Sequence, residues 1–362
     1  MKRIVLSGFI SAVCILSFVP VSSFACTGIT LRTQTDQTVV ARTIEWALQP
    51  LNSGYVVVPR GYSQQSFLPD GTQKGLRFKA KYGYVGLTVE QPDFVMEGIN
   101  EVGLSAGLFY FPGYGKYPAY DPSFKSQTIG DFQLVAWILS QFATVEEVKE
   151  ALSSVHVTSI DPRSSTVHWR IAEPSGRQIV LEIIDEKICI TENTLGVLTN
   201  APDFQWHLTN LNNYTNLKAG TVSSAQIGDL HLTAFGGGAG LHGVPGDMTP
   251  PSRFVRAALF QSTAPKLETT EETVVQAFHL LNNFDIPVGI QFENQQDIPD
   301  QPSATQWTVV SDLSYRCIYF RTMYDATIRC IDLKTIDFRR VSFRHSPLDM
   351  VKKQPIQYLQ IN

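Results

Sequence analysis

Two short runs rich in β-branched residues, Thr27–Thr33 and Thr38–Ile44, flank the polar tetrapeptide Gln34-Thr35-Asp36-Gln37. That pattern predicts a hairpin with Cys26 at its very start. Strand-like runs follow at Tyr55–Pro59, Gly83–Val89 and Gly103–Phe109. The period then lengthens: over Gly130–Phe142, Phe132, Val135, Ile138 and Leu139 recur near every 3.6 residues, which predicts a helix. Thr144-Val145-Glu146-Glu147 is a capping box and opens a second helix over Thr144–Leu152. Strands return at Thr166–Ala172 and Gln178–Ile184, turning at Pro174-Ser175-Gly176. After Asn200 the pattern becomes irregular and polar, and it passes through the glycine-rich stretch Phe235–Gly240. Helices are predicted over Ser252–Gln261 and Thr270–Asn283, the second behind another capping box at Thr269–Glu272. A β tail follows at Gln306–Val310, Cys317–Arg321 and Thr327–Leu333. Strands, helices, strands, helices, strands is the order of an α+β layered sandwich, two antiparallel sheets with helix pairs on their outer faces. No Pro/Gly/Ser linker or charge run divides residues 26–362, so a single domain is expected.

The first 25 residues have a different character. Lys2 and Arg3 precede an apolar stretch from Ile4 through Val19, and Ser22-Ser23-Phe24-Ala25 puts small residues at −3 and −1 of a cut before Cys26. This is the three-part pattern of a signal peptide, and it predicts a periplasmic or secreted protein. A membrane anchor is the competing reading, with an apolar run near the lower limit for a spanning helix. A lipoprotein signal also ends before a cysteine, but Ser23 and Phe24 fit it badly.

Removing residues 1–25 takes two basic residues and no acid, leaving 27 Lys+Arg against 33 Asp+Glu and a net charge of −6. Such a surface carries no electrostatic footprint for nucleic acid or for anionic membranes. No second apolar stretch approaches spanning length, so no stable membrane anchor is expected after cleavage. Beyond Cys14 four cysteines remain, Cys26, Cys189, Cys317 and Cys330, with no CxxC or HxxxH pair for a metal. If the two tail runs pair as a hairpin turning near Met323-Tyr324, Cys317 and Cys330 fall opposite each other; a cross-strand disulfide and two free thiols are both open. The glycine-rich run lacks the Lys-Ser/Thr of a phosphate loop, and no cofactor is expected. His207 and His242 read as loop residues rather than ligands. Gly103-Leu104-Ser105-Ala106-Gly107 matches the serine-hydrolase elbow, but that elbow needs a helix after it, and Leu108–Pro112 reads as strand ending in a turn.

A cysteine exposed at a mature N-terminus combines a strongly nucleophilic thiolate with an α-amine that titrates near neutrality, so one residue supplies nucleophile and base. The surrounding segments resemble the choloylglycine hydrolase family, which includes bile salt hydrolases and penicillin V acylases. They are Cys26-Thr27-Gly28-Ile29-Thr30-Leu31, Val40-Ala41-Arg42-Thr43-Ile44-Glu45-Trp46, Met96–Leu104, Leu198-Thr199-Asn200, Pro245-Gly246-Asp247 through Arg256, and Phe320-Arg321-Thr322 with Asp325. The resemblance runs through essentially the whole chain after residue 25. It implies the αββα N-terminal-nucleophile fold and hydrolysis of a non-peptide C–N bond in a linear amide. It also implies a small-molecule amide substrate and a homo-oligomer, with a homotetramer among the options.

The resemblance assigns the candidate catalytic residues as Cys26 the nucleophile, Arg42 and Arg253 framing the thiol, Asn200 an oxyanion donor, and Glu45 the hydrogen-bond partner of the α-amine. Glu45 stands where the family usually has Asp. The backbone donor and substrate wall fall at Phe109–Tyr110, with Trp46 a further apolar wall. The leader, the Glu45-Trp46 pair and Tyr55–Gly61 resemble the Gram-negative branch, whose members include penicillin V and acyl-homoserine-lactone acylases. Phe109–Tyr114 instead resembles a run of bile salt hydrolases. A non-catalytic or lipid-anchored binding protein is the competing class, and it is opposed by competent side chains at all five catalytic positions.

Overall fold

The structure is a computed structural model, and it describes residues 25–46, 51–160, 165–288, 290 and 304–361; the side chain of Trp46 and the segment read as the leader lie outside the described residues. Its first sheet has five strands: β1 (Cys26–Arg32), β2 (Thr38–Trp46), β10 (Ala304–Asp312), β11 (Cys317–Thr322) and β12 (Arg329–Asp332), paired in the order β1-β2-β10-β11-β12. The second has eight: β3 (Ser53–Val58), β4 (Tyr84–Val89), β5 (Val95–Asn100), β6 (Ser105–Tyr110), β7 (Val167–Ala172), β8 (Gln178–Ile184), β9 (Lys187–Glu192) and β13 (Arg344–Pro347), in the order β9-β8-β7-β6-β5-β4-β3-β13. Every pairing within these two sheets is antiparallel.

Helices close both faces. α1 (Leu134–Gln141), followed by α2 (Val145–Ala151), lies on β5 and β6; α4 (Pro250–Thr263) and α5 (Thr270–Leu281) lie on β1, β2 and β10. The sheets face each other, with side chains such as Arg42 of β2 reaching the backbone of β5 and β6. The result is four layers, helix–sheet–sheet–helix, around one contiguous buried cluster. The predicted caps form: Thr269 and Glu272 make a reciprocal box at α5. At α2, Thr144 Oγ1 accepts from Glu147 N, while the Glu147 carboxylate turns to the N–H of Ala143.

Among the labelled elements four had no matching prediction, the first being β13, a short strand at the end of the second sheet. β5 is buried along all six residues and shows no alternation. β9 is a largely exposed edge strand of six residues, with Ile188, Cys189 and Ile190 between polar ends. α3 (Phe204–Asn210) occupies a stretch read as irregular; it is short, capped by Asp203, and buries only Phe204 and His207. The tail hairpin corrects the predicted cysteine register. Thr322 and Asp325 exchange backbone hydrogen bonds, so the turn closes between Met323 and Tyr324 as expected. Residues 326–328 then add length to the returning strand, so that Tyr319 faces Cys330 and Cys317 faces Asp332. Both thiols are free.

Candidate active site

Strand register brings the site together. In the β1–β2 pair, Cys26 faces Ile44 and Gly28 faces Arg42. Side chains of one strand alternate between faces, so Cys26 and Arg42 point into the layer between the sheets, while Thr27, Thr43 and Glu45 point toward α4 and α5. On the free edge of β1 a bridge pairs Gly28 with Leu198, through hydrogen bonds of 2.7 and 3.1 Å. Two residues further along that bridge, Asn200 comes level with Cys26. The Cys26 N–H donates to Asn200 Oδ1 at 2.8 Å, and Asn200 Nδ2 donates to the Tyr110 carbonyl at 2.7 Å.

Arg42 is fully buried. Its Nη2 lies 2.8 Å from Cys26 Sγ, its Nη1 binds the carbonyls of Met96 and Leu108, and its Nε donates to the Thr43 carbonyl. The guanidinium stacks 4.1 Å over the Phe109 ring. Burial pushes the Cys26 thiol up from its ordinary pKa; the Arg42 charge, the Tyr110 backbone N–H and Arg253 oppose that, and Glu45 adds to it.

Arg253, in the first turns of α4, binds the Cys26 carbonyl and Thr27 Oγ1 through Nη1 and Asn200 Oδ1 through Nη2 at 2.7 Å. It therefore fixes the backbone and the amide around the thiol rather than touching the sulfur. Glu45 is also buried: Oε1 accepts from Thr305 Oγ1 at 2.9 Å, and Oε2 has no partner. Burial pushes its carboxyl up to about 7 against the pull of Arg253. Cys26 N is here an amide joined to Ala25, whose carbonyl accepts from the Glu45 N–H at 2.9 Å. The Cys26 N–H goes to Asn200, so the anticipated bond from Glu45 to that nitrogen is not among those formed.

Phe109 takes a different part from the one its sequence position suggested. It is completely buried beneath Arg42 and against Gly28, where an added Cβ would fall 2.9 Å from the ring, so it is a platform under the nucleophile and not an open wall. Tyr110 brackets the site with its backbone: its N–H faces the Cys26 thiol and its carbonyl holds Asn200. Ser105 is buried at the start of β6 and bonded to Glu97, and strand rather than helix follows it. His207 is no loop residue. It is buried in α3, bonds the Asn200 carbonyl at 2.8 Å and stacks on Phe254 of α4 at 4.6 Å, and burial lowers its pKa to about 4. His168 binds the Thr199 carbonyl at 3.1 Å and the Glu182 carboxylate at 3.0 Å.

Sequence reasoning misplaced His207 and passed over His168, Glu97 and Arg170. The last two carried a signal: a charged residue in the centre of a run that otherwise reads as buried strand needs a partner. Among the described residues no cluster of His, Cys, Asp or Glu has the makings of a metal site.

Two stacked antiparallel sheets between helix layers, with a cysteine at the head of the first strand, define the four-layer αββα fold of N-terminal-nucleophile hydrolases. Residues 26–344 match the model of the linear amide C–N hydrolases, choloylglycine hydrolase family. The chain is 33% identical over 304 residues to the bile salt hydrolase/transferase of Clostridium perfringens, covering 82% of this chain and 89% of that protein. It is 25% identical to the penicillin V acylase of Pectobacterium atrosepticum, covering 83% and 80%. The solved conjugated bile acid hydrolase from Clostridium perfringens superposes with a TM-score of 0.80 at 29% identity, over 92% of this chain and all of that one. The chain belongs to the choloylglycine hydrolase family and is a linear amide C–N hydrolase.

Proposed function

We propose that Cys26 is the nucleophile of this hydrolase, freed as the N-terminus when the exported chain loses residues 1–25. The observation that carries the reading is Arg42 Nη2 at 2.8 Å from Cys26 Sγ in a buried layer, a contact that favours the thiolate. The thiolate adds to the amide carbonyl. The second N–H of Asn200 Nδ2, the first being spent on Tyr110, and the Tyr110 backbone N–H serve the oxyanion. The C–N bond then breaks, and the leaving amine takes its proton from the Cys26 α-ammonium. Water, giving a proton to the same amine, attacks the thioester, releasing the acid and the thiol. The buried, unpartnered Oε2 of Glu45 supports a partner role toward the charge that leader removal creates nearby.

For the substrate, the relatives move conjugated bile salts ahead: the 33% identity to a bile salt hydrolase/transferase exceeds the 25% to a penicillin V acylase over comparable coverage. Penicillin V or an acyl-homoserine lactone is the second reading, favoured by the leader and by Glu45-Trp46. The test is amine release from glyco- and tauro-conjugated bile salts, penicillin V and acyl-homoserine lactones, by the processed protein and its Cys26→Ala variant. Loss of hydrolysis in the variant is expected. Retained hydrolysis would overturn the nucleophile, and the preferred substrate decides between the two readings.

A further inference from the structure

Behind the thiol lies a charged arrangement that the steps above do not use. Glu97 of β5, Gly107 of β6 and Arg170 of β7 stand directly opposite one another on three neighbouring strands. The Glu97 carboxylate reaches over the middle strand to bind Arg170 Nη2. A Cβ at Gly107 would fall 1.9 Å from Glu97 Oε2, so the absence of a side chain there is what lets the ion pair cross. Ser105 Oγ donates to Oε1 at 3.3 Å, which gives the glycine-serine-glycine motif of the sequence a place unrelated to nucleophilic serine chemistry. On the other side, Oε2 lies 3.9 Å from Arg42 Nη1, and Arg42 holds Cys26 Sγ.

Arg42, Glu97 and Arg170 are at most 1% exposed. A buried pair of this kind seldom adds net stability, and here Arg170 Nε and Nη1 are left without partners. Arg42 and Arg170 lie 4.1 and 5.9 Å from the same Phe109 ring, so without Glu97 two guanidinium charges would face each other in a dry layer.

We propose that the Glu97–Arg170 pair, carried across Gly107, is a positioning element that holds Arg42 against the Cys26 thiol and sets the charge the thiol feels. Its catalytic meaning rests on Cys26 as nucleophile; its electrostatic effect does not. Beside the thiol are Arg42 from β2 and the Tyr110 N–H from β6, while Glu45 of β2 and Arg253 of α4 act on it by charge from the helix face. The Cys26 α-amine joins them after processing. Glu97 and Arg170 act from behind Arg42, the charges of these three residues sum to +1, and the Glu182 carboxylate on the same face is taken up by His168.

The experiment is the pH dependence of iodoacetamide alkylation in the processed protein, read on the Cys26 peptide by mass spectrometry because Cys189 and Cys330 are exposed. Glu97→Gln removes the negative charge and is expected to move the profile to lower pH. Arg170→Gln leaves Glu97 facing Arg42 alone and is expected to move it to higher pH. Each change in alkylation rate below the thiol pKa is roughly threefold to tenfold. The double variant restores a sum of +1 and is expected to return close to the wild-type profile. A merely structural pair would alter the urea midpoint and leave every profile in place. Superimposable profiles, or single-variant shifts of the same sign, would overturn the proposal; should one single variant fail to fold, the other decides by the direction of its shift. Alkylation reads ionisation whether or not the protein hydrolyses anything, so failure here is separable from failure of Cys26→Ala to abolish turnover.

Discussion

The two faces of the β1–β2 hairpin treat arginine in opposite ways. On the inter-sheet face, Arg42 meets a thiol, an aromatic ring and a carboxylate, and the groups behind it are charged. On the helix face, Arg253 meets oxygens of Cys26, Thr27, Asn200 and Met248, all of them neutral. The first arrangement governs ionisation of a sulfur; the second governs where a backbone and an amide stand. Period-two alternation produces this division without a loop or a hinge, because adjacent residues on one strand serve opposite layers.

The sharpest break of that contrast is Arg42→Gln. An adjacent cation favours an ionised partner by roughly one to three orders of magnitude. The variant is therefore expected to raise the thiol pKa and to lower kcat/KM at neutral pH by up to about 10³-fold, read from a pH–rate profile. Asn200→Ala tests the other side. It deletes a neutral amide whose oxygen takes Cys26 N–H and whose nitrogen holds Tyr110. Loss of one oxyanion donor costs about 10²–10³ in kcat, and here the thiol alkylation profile should stay close to wild type. If both variants moved ionisation equally, the division of labour would be wrong.

The neutral arm around Asn200 also carries a pH dependence of its own. His207 donates from Nε2 to the Asn200 carbonyl, its Nδ1 is buried without a partner, and its pKa is lowered to about 4 from an unfolded value near 6.5. Between those values the unfolded chain binds more protons than the folded one, so stability rises with pH through this window and is lost as pH falls from about 6.5 toward 4. The full effect is on the order of 3 kcal/mol. Urea unfolding of wild type and His207→Gln at pH 7 and pH 4.5 checks it: the wild type should lose more on acidification than the variant.

Legibility from sequence divided along similar lines. The hairpin, the α4 and α5 helices and the order of layers were readable because strands with one buried face alternate and amphipathic helices repeat near 3.6. Arg42, Glu45, Asn200 and Arg253 were named because they sit in motifs with fixed spacing, and all four lie around the head of β1. β5 was missed for the reason it matters: Glu97, Gly98 and Asn100 break any apolar pattern, yet each is buried. Glu97 and Arg170 lie 73 residues apart, and only the strand order places them across Gly107. Phe109 was misread as a wall because a sequence does not reveal which side of a strand another sheet covers.

The smallest expected effect probes the contact where the edge of one sheet meets the platform on the other. Gly28 has no need of an unusual φ, since it lies in regular β1. Its requirement is space: an added Cβ would stand 2.9 Å from Phe109 Cζ and 3.4 Å from the Leu198 carbonyl oxygen. Phe109 lies beneath Arg42 and cannot retreat without disturbing that stack, while Leu198 belongs to the bridge that brings Asn200 level with Cys26. Gly28→Ala should therefore overpack the junction by about 1–3 kcal/mol, seen as a lower urea midpoint with an unchanged slope. Because the methyl presses on both arms, the variant should lower kcat more than it shifts the thiol profile. A variant with native turnover would mean that β1 can slide relative to Phe109, and the register argument that brings Asn200 to Cys26 would lose its rigidity.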